Sequence, residues 1–156
     1  MRNPRVAYRY AKALIDIAME GNQLDVVKAD IDYLRKHTNE ELNAVMRSPV
    51  INGDKKSKIF AAVFHDQVSA ITETFFNLLF RKGREFVIRD IADSFHTQYN
   101  LIKNIVIVTL TSSVPLTDEL QKDIFNRVTA LPRFEGKTIQ LIVKTDPEII
   151  GGFILE

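Results

Sequence analysis

Three histidines, His37, His65 and His96, are the side chains best suited to metal ligation or proton transfer near neutral pH. They lie far apart, with neither an HExxH nor a His-x-x-x-His spacing, so they read as isolated surface or edge imidazoles and predict no metal site. The chain has no cysteine, which excludes thiol catalysis, thiolate metal sites, iron–sulfur ligation and a disulfide framework. Gly151-Gly152 fits neither GxGxxG nor GxxxxGKS/T, and paired glycines in a strand mark a bulge or a close backbone approach. Ser112-Ser113 has no nearby base, and the carboxylates spread over charged helix faces without a pair marked by split acidities. The residue types predict no catalytic centre and no cofactor.

Charge offers one further possibility. Basic clusters stand at Lys55-Lys56-Ser57-Lys58 and Arg81-Lys82-Gly83-Arg84. They fit phosphate contacts to RNA or lipid head groups. They fit equally a solvated helix start and a helix C-terminus with cations at the dipole's negative end. The whole chain carries 21 Lys+Arg against 20 Asp+Glu, a net charge of +1, which argues against a general polyanion binder. A nucleic-acid-binding adaptor using residues 55–58 and 81–84 is therefore the alternative function. The longest apolar run, Ile59–Phe64, is far below the roughly 18 residues of a membrane span. The start, Met1-Arg2-Asn3-Pro4-Arg5, lacks the apolar segment of a secretory signal, and Tyr8 and Asp16 already sit in a helical pattern. The expectation is an intracellular soluble protein.

The elements that position these residues change character near residue 103. Before it, apolar residues recur at helical spacing; after it comes the β-branched run Asn104–Thr111. This predicts an α+β chain with an N-terminal six-helix bundle at 1–103 and a small α/β domain at 104–156, ordered strand, helix, strand, strand. Helices are expected at about Pro4–Glu20, Leu24–Lys36, Glu40–Met46, Asp54–Phe64, Val68–Lys82 and Arg84–Ile102, punctuated by Gly21-Asn22, Ser48-Pro49, Asn52-Gly53 and Gly83. In the second domain, strand Asn104–Thr111 has apolar residues on both faces and should be central or covered on both sides. Thr117 caps a helix over Asp118–Leu131 whose stripe is Leu120, Ile124, Val128 and Leu131. Strand Thr138–Lys144 turns Ile139, Leu141 and Val143 inward, and a further strand covers Ile149–Leu155. The chain stops at Glu156 inside that apolar strand, which reads as truncation or processing.

The first and fifth helices carry more apolar surface than one core-facing stripe requires. At about 100° per residue, Val6, Tyr10, Ala13 and Ile17 form one row of the first helix, and Ala7, Ala11, Leu14 and Ala18 a second. The fifth spreads Val68, Ile71, Phe75, Phe76, Leu78, Leu79 and Phe80 over roughly 200°. The second helix confines Leu24, Val27, Ile31 and Leu34 to about 80°. Either helices one and five are central, or they lie side by side and offer an apolar groove to a partner helix. Aromatic stripes at this spacing favour the core.

Four segments in order resemble one family. Val6–Leu14 is similar to the opening YAxAL helix of the delta-subunit family of the rotary ATP synthase, and Leu79–Arg84 to its L-x-x-N-G-R turn. Val114-Pro115-Leu116-Thr117 resembles its A-x-P-L-S/T step, and Asp146–Gly152 its D-P-x-L-I-G-G signature. Lys82 departs from the usual Asn, and the chain ends before the Gly-Asp turn, the Asp-x-Ser segment and the last helix typical of the family. An incomplete C-terminal domain is expected to dock its partner more weakly.

The resemblance implies a non-catalytic stator component, peripheral to the cytoplasmic side of the bacterial inner membrane. The helical domain would hold the N-terminal helix of an alpha subunit on the catalytic head, and the smaller domain would join the peripheral stalk of b-type subunits. The tie would keep the head from turning with the rotor during proton-driven ATP synthesis. In this family the alpha-subunit groove lies between helices one and five. The expected lining is Tyr10, Ala13 and Ile17 with Phe75, Leu78 and Leu79.

Overall fold

Pro4 opens the first helix, α1 (Pro4–Glu20), where its missing N–H leaves no helical bond unmade. The computed structural model describes residues 4–156, so Met1-Arg2-Asn3, part of the expectation about the chain's start, lie outside the described residues. Asn22 ends α1 in the left-handed region at φ 53°. The Asn22 N–H bonds to Met19 O at 3.1 Å and the Gln23 N–H to Ala18 O at 2.7 Å, which satisfies carbonyls of the last turn. Then follow α2 (Leu24–His37), α3 (Glu40–Arg47), α4 (Gly53–Phe64), α5 (Ala70–Arg81) and α6 (Ile88–Ile102). Asn39, Asn52 and Ser69 cap α3, α4 and α5 by accepting from Leu42, Lys55 and Thr72 N–H groups. Two starts differ from expectation. Val68 and the extended cap Ser69 precede α5, and a 3-10 turn over Glu85–Val87 precedes α6. The chain divides into the units Met1–Tyr99 and Asn100–Glu156, with the division inside α6.

Three polar or backbone contacts fix α5 in the first unit. The buried Asp30 of α2 accepts through Oδ2 from Ser69 N–H at 2.9 Å, Ser69 Oγ at 2.6 Å and Thr72 Oγ1 at 2.7 Å. A carboxylate at the start of a helix also meets the positive end of its dipole. At the other end, Ser57 Oγ donates to Asn77 Oδ1 at 2.5 Å. Gly53 there lets the backbones of α4 and α5 touch: a Cβ added to it would overlap the Phe80 carbonyl oxygen and lie 3.0 Å from its carbon. Gly53→Ala should therefore destabilise the unit by about 1–3 kcal/mol, read as a lowered denaturation midpoint with an unchanged slope.

Lys56 corrects the reading of the first basic cluster as solvated. Its side chain is 2% exposed, and Nζ donates to Glu85 Oε1 beside the 3-10 turn. Lys55 and Lys58 stay exposed. Lys56, Phe60 and Phe64 recur every four residues on the buried face of α4.

In the second unit β1 (Ile105–Ser112) is the central strand of the order β2-β1-β3. It pairs in parallel with β2 (Thr138–Thr145), from Ile105 opposite Thr138 to Ser112 opposite Thr145. It pairs antiparallel with β3 (Phe153–Leu155). The link between β1 and β2 is α7 (Asp118–Thr129), whose cap Thr117 accepts from Leu120 N–H at 3.4 Å. Val108, Leu110, Ile124, Val128 and Ile139 form the core, with Leu141 and Val143 against it, as the alternation of β2 predicts. Two expectations need correction. Leu120 of the α7 stripe is exposed within the first turn of the helix, and Leu131 is exposed beyond its end, because Pro132 disfavours helix at Leu131 and a 3-10 turn Pro132–Phe134 takes over. The strand expected over Ile149–Leu155 is paired only at Phe153–Leu155. Asp146 Oδ1 accepts from Glu148 N–H at 3.0 Å, and Gly151 and Gly152 at φ 136° and 79° keep turning the chain. On the second face of β1, Ile107 is exposed, so that strand is central but not covered on both sides.

Candidate partner-binding surface

The two apolar rows of α1 have different fates. Ala7, Ala11, Leu14 and Ala18 are buried, together with Ile15. Val6 and Tyr10 are half-buried, Ala13 is exposed, and Ile17 is 51% exposed. α5 divides likewise. Thr72, Phe76, Leu79 and Phe80 are buried, Ile71 is half-buried, and Leu78 is 45% exposed. The core is therefore filled by one row of each helix, and a second row is left over.

The left-over rows are adjacent. The Tyr10 ring meets the Phe75 ring edge-on, with centroids 6.3 Å apart. Ile71 Cδ1 lies 3.6 Å from where a Cβ on Gly21 would stand, at the end of α1. The contacts 10–75 and 21–71 run in opposite senses along the two helices, so α5 crosses α1 in the antiparallel sense. Of the expected lining, Tyr10, Ala13, Ile17 and Leu78 reach the surface. Phe75, 7% exposed, is the floor under Tyr10. Leu79 is 0% exposed and belongs to the core, a correction that follows from its place about 100° round from Leu78. Ile71, absent from the expected lining, joins the strip; its place in the same apolar arc of the fifth helix was the available signal.

α6 is tied by hydrogen bonds to both α1 and α2. Gln98 of α6 donates from Nε2 to Tyr8 O at 3.1 Å. Tyr99 of α6 donates its hydroxyl to Asp25 Oδ1 of α2 at 2.8 Å, and burial, reinforced by that carboxylate, raises its pKa. A cavity of about 610 Å³ lies elsewhere in the unit, among Leu42, Met46, Phe64, Phe86 and Ala92, and no strip residue lines it. What the strip offers chemically is apolar area beside polar flanks, suited to an amphipathic helix.

The histidines divide as well. His37, stacked on Tyr33, and His65 are exposed, but His96 is half-buried with Nε2 2.9 Å from Asp32 Oδ1, so it is no isolated imidazole. Among the described residues no group of three His, Cys, Asp or Glu could hold a metal ion. Burial lowers the His96 pKa below 6.5, helped by Arg35 and Lys28 and opposed by Asp32 and Asp93. The unfolded chain then binds more protons at this site than the folded one. Stability is full above pH 6.5 and falls as pH drops through that value and then through the lower folded pKa. His96→Gln should flatten the loss of denaturation midpoint between about pH 7.5 and about pH 5.5.

Comparison with known proteins bears on the family. Residues 6–156 match the sequence model of the family described as ATP synthase delta (OSCP) subunit. The ATP synthase subunit delta of Cytophaga hutchinsonii is 39% identical over 158 residues, covering 100% of this chain and 85% of the relative. That of Chlorobium phaeobacteroides is 37% identical, covering 92% of this chain and 79% of the relative. A chain in the cryo-EM structure of the Toxoplasma gondii mitochondrial ATP synthase hexamer superposes with a TM-score of 0.73 at 25% identity, over 96% of this chain and 83% of that one. None of the described helices is long and apolar enough to cross a membrane. Nothing in these likenesses favours the nucleic-acid adaptor, and the burial of Lys56 removes one cation from its first cluster. This chain belongs to the ATP synthase delta (OSCP) subunit family, the non-catalytic delta-type subunits of the ATP synthase.

Proposed function

We propose that this chain is a stator tie of an ATP synthase, whose partners are other subunits of that complex. Its helical unit holds the N-terminal helix of an alpha subunit on the strip formed by Tyr10, Ala13, Ile17, Ile71 and Leu78, over Phe75. Its sheet unit joins the b-type peripheral stalk, on the cytoplasmic side of a bacterial inner membrane. The tie keeps the catalytic head from turning with the rotor while proton flow drives synthesis. The observation that carries this reading is the exposure of Ile17 and Leu78 on two adjacent helices whose other apolar rows already fill the core. Each large side chain newly buried by a partner contributes about 1.5–3 kcal/mol, so a few anchors give useful affinity. Such anchors act mainly on the off-rate, which is what repeated torque tests. Holding head and stalk at once adds avidity without new contacts. Titrating an alpha-subunit N-terminal peptide into the chain by calorimetry should give saturable, salt-tolerant binding; no heat and no saturation would end the reading.

A further inference from the structure

The strip's two ends carry opposite charge. Because α5 runs in the opposite sense to α1, its C-terminal end points toward the start of α1. At that end Arg5 and Arg9 of α1, Arg81 of α5 and Lys82 just after it are all exposed. At the other end the exposed charges of α1 are Asp16 and Glu20, with the exposed Lys12 about 100° round from Ala13 at mid-helix, and the exposed Thr74 of α5 beside the strip is neutral. By helical spacing, Arg9, Asp16 and Glu20 on α1 and Arg81 and Lys82 on α5 lie within about 60° of the apolar rows. None of these side chains forms an ion pair among the described residues. Glu73 of α5 is half-buried on another side of its helix, with Oε2 3.5 Å from His65 Nδ1, and takes no part in this rim. On α2 and α6, Lys28, Asp32, Arg35 and Asp93 are paired within the unit. An even net charge of +1 thus hides a polarised rim.

We infer that the strip reads the charge polarity of its partner. It takes an amphipathic helix with acidic residues at the end lying over Arg9, Arg81 and Lys82, and basic residues at the end lying over Asp16 and Glu20. This rests on the proposed helix-docking role of the strip and adds an orientation to it. The apolar rows alone cannot set direction, since a stripe of Leu-sized side chains presents much the same face either way round. The rim charges can, because reversing the helix would oppose like charges at both ends. Acidic residues favour the first turn of a helix and basic ones the last, so a partner of ordinary charge order runs parallel to α1. A polyanion would gain at one end and be repelled at the other.

The test uses the full chain and a synthetic helix of about 18 residues with a Leu stripe, Glu on one half of its flanks and Lys on the other. A nitroxide placed at the Glu end should broaden the amide signals of Val6, Arg9 and Lys82 and spare those of Ile17 and Ile71. Moving the Glu residues and the label together to the opposite terminus should leave the same signals broadened. The triple variant Arg9→Glu, Arg81→Glu, Lys82→Glu should weaken binding about tenfold at low salt, a difference that shrinks as salt rises. Broadening at the Ile17 end, or at both ends alike, would overturn the polarity and leave the docking strip standing. Absence of binding to the unaltered chain would overturn both. Self-association of the chain that Leu78→Asp abolishes would assign the strip to a second copy and overturn the orientation as well.

Discussion

Leu78→Asp and Ile17→Asp each weaken binding of the alpha-subunit peptide by about a hundredfold, while the denaturation midpoint barely moves. Both side chains already face water on the free chain, at 45% and 51% exposure, so an aspartate there disturbs little of the core. Against a bound helix the same carboxylate would be held beside leucine-sized groups at the edge of the contact, and the lost apolar burial together with its partial desolvation costs about 3 kcal/mol. Leu79→Asp is the opposite case. With no exposure in the folded chain, it should lower stability by more than about 4 kcal/mol and lose binding only because the unit unfolds. Circular dichroism melts beside calorimetric titration separate the two. Leu78 and Leu79 are neighbours of the same residue type, so full binding by a folded Leu78→Asp variant would show that the exposed row is not a binding row.

Lys56→Ala should be among the most destabilising changes in the helical unit, by about 3–5 kcal/mol. Its ammonium is buried and paired with Glu85, and the second carboxylate oxygen, Oε2, is buried with no hydrogen-bond partner. Removing the lysine leaves that carboxylate buried without its cation and opens a hole on the face α4 shares with Phe60 and Phe64. For a unit of this size the melting temperature should fall by more than 10 °C, roughly 4–8 °C per kcal/mol. The double variant Lys56→Met, Glu85→Leu should recover most of the loss, because an apolar pair of similar volume removes both desolvation terms. Full stability of Lys56→Ala alone would show that the pair contributes nothing.

The element pattern was legible where one force acted alone. The 3.6-residue rows of α1, the alternation of β2 and the Thr117 cap depend on local spacing, and each stands where spacing puts it. The misplaced limits have causes that the apolar pattern does not carry. Ser69 draws α5 in from Val68 through its hydrogen bond to Asp30, a residue 39 positions away and invisible to any window. The turn before β3 starts with the Asp146 side chain bonded to Glu148 N–H and runs on through Gly151 and Gly152, whose positive φ keeps them out of a strand. Within the strip, spacing gave the two helices but not the dividing line between core and surface. That line depends on how deeply α5 packs, so spacing puts Phe75 and Leu79 in one arc with Leu78 although only Leu78 is open. Lys56 is a case where charge and spacing point opposite ways. Its charge suggested solvent, yet its spacing to Phe60 and Phe64 put it on the buried face.

The most direct check is a residue-by-residue map of amide chemical shifts as the alpha-subunit peptide is added to the isotope-labelled full chain. The account predicts saturable shifts concentrated at Tyr10, Ala13, Ile17, Ile71 and Leu78. Shifts gathered instead around the cavity at Leu42, Met46 and Phe86, or a spectrum that never changes, would contradict it.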